Sequence, residues 1–101
     1  MEVNELQKLS NEIVEEIDNK LSVNHNANNT TLHILEEIGE IARQINNPTF
    51  RNKEINKENL SEELADVLIL IIRLANIHNI DIEEAILKNI EKLKQRHNIE
   101  T

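Results

Sequence analysis

A single glycine and a single proline in 101 residues leave this chain almost no means of turning. Tight turns and strand connections draw on those two residues, so their scarcity favours long helices joined by few loops. Apolar residues recur at the 3.6-residue helical period and confirm that preference. Val3, Leu6, Leu9, Ile13, Ile17 and Leu21 form one stripe, which predicts a helix over about 3–21. The Asn-rich stretch "SVNHNANNTT" has no period and predicts a loop, with Thr30 or Thr31 capping the next helix. Leu35, Ile38, Ala42 and Ile45 give a second helix over about 32–45, ended by "NNP". A third is expected from about Leu60 to Ile77, capped by Asn59 with Glu62 as its capping-box partner. Asp81 caps a fourth, running to about His97. The expectation is an all-α four-helix protein, one domain over residues 1–101.

Helix three is apolar nearly all round: Val67 to Ile72, then Leu74 and Ala75. Such a helix must be buried on every side. Four helices of this size rarely enclose one of their own, so association through helix three is expected, ahead of a monomer with helix three at its centre.

Several function classes drop out. A net charge of -8 opposes binding to nucleic acid or to an acidic membrane surface. Phe50 is the only aromatic residue, so stacking on bases is poorly served. No cysteine means no disulfide, thiolate metal site or cysteine nucleophile. The acidic, amphipathic N-terminus is neither a signal nor a transit peptide. The longest apolar run is too short to span a bilayer. A cytoplasmic protein is expected.

Two acidic patterns remain, "LEEIGEI" and "SEELADVL". Residues three or four apart share a helix face, so Glu37 neighbours Glu40, and Glu63 neighbours Asp66. Acidic pairs are commonly a solvated face, and Glu12, Glu15, Glu16 and Asp18 of helix one are read that way. Two pairs on consecutive helices can instead converge, and a divalent cation then removes the repulsion. Oxygen ligands without His or Cys favour Mg²⁺, with Mn²⁺ as a substitute. A di-iron site would need a Glu-x-x-His spacing that is absent here. Gly39, amid the glutamates, would let another helix or a ligand approach closely. His33 lies one turn before Glu37 and can touch a ligand. Lys88, Lys92 and Arg96 recur on one face of helix four and suit a phosphate, as do Arg51 and Lys53 in the loop between helices two and three.

The stretches "HILEEIGEIARQI", "NLSEELADVLILIIRLANIHNIDIEEAI" and "KNIEKLKQR" together resemble the MazG-type all-α nucleoside triphosphate pyrophosphatases. The family's pattern of ExxE, spacer, ExxD and a helix after a "gID" turn falls on Glu37–Glu40, Glu63–Asp66 and Asn79–Asp81. The resemblance implies Mg²⁺-dependent cleavage of a nucleoside triphosphate between its α and β phosphates, in a MazG-like bundle that forms a homodimer or homotetramer. It implies Glu37, Glu40, Glu63 and Asp66 as metal ligands and catalytic groups, with Glu36 and Glu62 beside them. Lys88 matches the family's phosphate-contacting lysine. Lys92 stands where relatives carry Asn, and Arg96 comes slightly late. Two alternatives stay open: a phosphoribosyl-ATP pyrophosphohydrolase, and an acidic helical interaction protein without catalysis.

Overall fold

A computed structural model describes residues 1–50 and 54–100, without the side chains of 48–50. Its described residues form four helices and no strand: α1 Val3–Leu21, α2 Ala27–Phe50, α3 Lys57–Ile77 and α4 Ile82–Arg96. The ends of α1, the end of α3 and the start of α4 fall where the apolar period places them. Asp81 caps α4 as expected, accepting the Glu84 N–H at 3.1 Å.

Two helices start earlier than the sequence suggests. Asn26 caps α2 by accepting the Asn29 N–H at 2.9 Å, so Thr30 and Thr31 lie inside the helix. Thr31 donates its hydroxyl to the Ala27 carbonyl at 2.7 Å. Asn56, not Asn59, caps α3; Asn59 supplies the N–H that it accepts at 3.2 Å. In both cases an asparagine one turn upstream wins, and the added turn carries no apolar period to betray it. α2 also continues past "NNP" to Phe50. A proline in a last helical turn removes one N–H donor without preventing the turn.

Many helices close on a left-handed residue, and glycine is the usual choice. None stands at these ends. Ser22, Asn79 and Asn98 take the role, with φ of 54°, 55° and 55°. Asparagine tolerates that region through its short polar side chain.

α2 packs along α3, α1 packs against α3, and α4 packs against α1. Gln7 fastens this frame. Its Nε2 donates to Asn76 Oδ1 and to the Ile80 carbonyl, both at 2.8 Å. Its Oε1 accepts the Ile82 N–H at 3.1 Å. One α1 side chain thus holds the α3–α4 turn.

Little apolar surface is enclosed. Among the described residues only Val67 and Ala75 are buried hydrophobics, while Leu35 and Leu68 are 62% and 58% exposed. The radius of gyration is 16.6 Å, against about 13 Å for a compact domain of 100 residues. A single chain does not wrap α3. No helix is long and apolar enough to cross a membrane, judged over the described residues.

Candidate metal centre

Because α2 and α3 run along each other, their acidic faces meet. Glu37, Glu63 and Asp66 each present a carboxylate oxygen, and the three oxygens lie within 4.8 Å of one another. Glu37 and Glu63 are half-buried, and Asp66 is exposed. Among the described residues no other group of His, Asp and Glu comes together in this way.

The electrostatics of the cluster are strained. Glu63 has its pKa pushed up to about 7: its carboxyl group hydrogen-bonds with that of Glu37, burial disfavours its charge, and the charges of Glu37, Asp66 and Glu40 add repulsion. Two carboxyl groups can hydrogen-bond only through a shared proton. Glu63 Oε2 is shielded from solvent and has no hydrogen-bond partner. An orphaned buried acceptor, facing two further carboxylates, fits a hard divalent cation. The donor set is all oxygen, which suits Mg²⁺ or Mn²⁺.

The other expected site residues take varied places. Glu40 stands outside the three-carboxylate group and pairs with Arg43, one turn further along α2. His33 Nε2 lies 3.5 Å from Glu37 Oε1, on the predicted face. Glu36 is exposed and lines a groove with His33, Leu32 and the end of α1; Glu62 is exposed on α3. Lys88 pairs with Glu84 of its own helix at 2.9 Å, and Lys92 and Arg96 are exposed. All three sit on α4, whose main packing partner is α1, not the helices that carry the carboxylates. Arg51, Lys53 and the Phe50 side chain lie outside the described residues.

Two expectations need correction. Among the described residues Gly39 has no neighbour: a methyl group there would meet nothing within 4 Å, so no described helix approaches it, and of the two partners expected there only a ligand is left. Asp18, read as part of a solvated face, is 8% exposed. Its Oδ1 meets His25 Nδ1 at 2.5 Å, and its Oδ2 meets Arg73 Nη2 at 3.4 Å. Arg73 also donates to the His25 carbonyl at 3.3 Å. This network ties α3 to α1 and to the α1–α2 loop. One signal pointed to it: Arg73 interrupts an apolar run, and a charge so placed requires a counter-charge.

Fold and site together define an all-α protein whose second and third helices bring together three carboxylates that could hold a metal ion. The family model of the MazG nucleotide pyrophosphohydrolase domain matches residues 24–99, about three quarters of the chain. The chain belongs to that family, and with it to the nucleotide pyrophosphohydrolases, which act on nucleotides and generally use a divalent metal. No curated protein and no solved structure matches it significantly.

Proposed function

We propose that the protein hydrolyses nucleoside triphosphates between the α and β phosphates, releasing a nucleoside monophosphate and pyrophosphate. Mg²⁺ is the cofactor in this reading, and Mn²⁺ substitutes for it. One observation carries the proposal: three carboxylates from α2 and α3 converge within 4.8 Å, in a family of nucleotide pyrophosphohydrolases.

Glu37, Glu63 and Asp66 would hold the metal, with Glu40 as the fourth ligand. A divalent cation bound there polarises a phosphoanhydride and lowers the pKa of an attacking water. Glu36 and Glu62 flank the ligands and help hold the acidic site in place. His33, beside Glu37, is a donor to the bound nucleotide. The chain offers no Cys nucleophile, so direct attack by water is the economical route.

The exposed apolar residues support closure of the fold by a second copy, as a homodimer or homotetramer. In such an assembly Lys88, Lys92 and Arg96 neutralise phosphate from an adjoining subunit, since their own helix packs away from the carboxylates. The whole chain then works as one domain, in the cytoplasm where nucleotides are found.

The decisive experiment is a panel of ribo- and deoxyribonucleoside triphosphates and phosphoribosyl-ATP with Mg²⁺, scoring pyrophosphate against orthophosphate. Pyrophosphate from the triphosphates is expected. Orthophosphate as first product would overturn the assignment of the bond. Preference for phosphoribosyl-ATP would overturn the substrate.

A further inference from the structure

Glu40 sits one helical turn from Glu37, yet its carboxylate is engaged elsewhere, by the guanidinium of Arg43. Both side chains are largely exposed, so neither is locked by packing. Glu40 remains close enough for its charge to add to the repulsion on Glu63. It is therefore a nearby fourth carboxylate with a cation of its own.

We propose that Arg43 is a positioning residue that competes with the divalent cation for Glu40. In the metal-free protein its guanidinium draws the fourth negative charge away from Glu37, Glu63 and Asp66, limiting repulsion among them. When the cation binds, Glu40 leaves Arg43 for the ion through a change of side-chain rotamer, with the helix unmoved. The ion pair is thus a built-in limit on metal affinity. This inference rests on the reading that Glu40 is the fourth ligand. An i,i+3 spacing on an exposed face allows the exchange because such a pair is weak and readily broken.

The test is a double-mutant cycle on metal binding, read by Mn²⁺ electron paramagnetic resonance and by Mg²⁺ calorimetry, without nucleotide. Arg43→Gln keeps the length of the side chain and removes the competing charge. It is expected to tighten Mn²⁺ binding by about threefold, the scale of an exposed ion pair. In a Glu40→Gln background the same change should have no effect, because the contested ligand is gone. Arg43→Lys, which keeps the charge, should restore most of the original affinity.

Equal tightening in both backgrounds would reduce Arg43 to a bystander charge and overturn the proposal. No tightening at all would overturn it too. The cycle requires no turnover. If no nucleotide is hydrolysed while the cycle gives the expected result, the functional reading fails and the role of Arg43 stands; the opposite pattern removes Arg43 alone.

Discussion

Glu37 on α2 and Glu63 on α3 place their carboxyl groups within hydrogen-bonding reach of each other, and the pKa of Glu63 is pushed up to about 7 from an ordinary 4.5. This relationship sets the pH behaviour of the metal-free protein. A raised folded-state pKa means that the folded chain binds the proton more tightly than the unfolded chain. Glu63 therefore contributes stability in acid that is lost as pH rises from about 4.5 to about 7, and its contribution is level above that. Thermal melts in EDTA should show a Glu63-dependent fall across that window, and Glu63→Gln should flatten it. Added Mg²⁺ should raise the melting temperature most above pH 7, because the cation binds deprotonated carboxylates. A Mg²⁺ effect independent of pH would show that the ion binds elsewhere.

Gly39 gives a second prediction. It lies in the interior of α2 with open space where a side chain would be. Alanine is a better helix former, by roughly 0.5–1 kcal/mol. Gly39→Ala should accordingly raise the melting temperature of the metal-free protein by several degrees. If the glycine exists to admit a nucleotide closely, the same change should raise KM several-fold with metal affinity unchanged. Greater stability with an unaltered KM would leave the glycine without a role in the site.

These two positions also mark what the sequence makes legible. Glu37, Glu63 and Asp66 can be placed together because helical spacing fixes their faces, and adjoining helices bring those faces into register. Nothing in that spacing reveals that Glu40 turns toward Arg43, since the choice lies in a rotamer of an exposed side chain. The α2 start at Ala27 was hidden for a different reason. Its first turns consist of Asn, Thr and Ala, which carry no apolar period. Asp18 looked like its exposed acidic neighbours because the period of one helix cannot say which acid faces a partner on another. ExxE and ExxD point to the family because their order and spacing, with the turn before α4, extend over most of the chain that the family model matches.

The Asp18–Arg73 pair supplies a third prediction. Their side chains are 10% and 13% exposed, and they join residues 55 apart in sequence. Removing one partner from such a pair leaves a charge in a poor environment. Arg73→Met should cost about 2 kcal/mol, less than a fully buried pair because His25 still contacts Asp18. That corresponds to a melting temperature about 10 °C lower for a domain of this length. Asp18→Leu combined with Arg73→Met should recover much of the loss. Failure of the double variant to recover would mean that the network holds the α1–α2 loop through its hydrogen bonds, His25 included, more than through paired charge.

The fourth prediction concerns Leu68. It lies on α3 immediately after buried Val67 and two residues after Asp66, yet it is more than half exposed. Leu64 and Ile69 beside it on α3 are also exposed, so the described residues leave this apolar surface only partly covered. Burying such a surface in a second copy removes apolar area from water at about 25 cal/mol per Å². Light scattering after size exclusion should therefore give a mass of two or four times 11.7 kDa, with a melting temperature that rises with protein concentration. Leu68→Asp places a charge in that contact and should shift the mass toward one chain while lowering helicity. A wild-type chain that is monomeric and stably helical at micromolar concentration would refute association through α3. It would also leave Lys88, Lys92 and Arg96 without a route to the carboxylates.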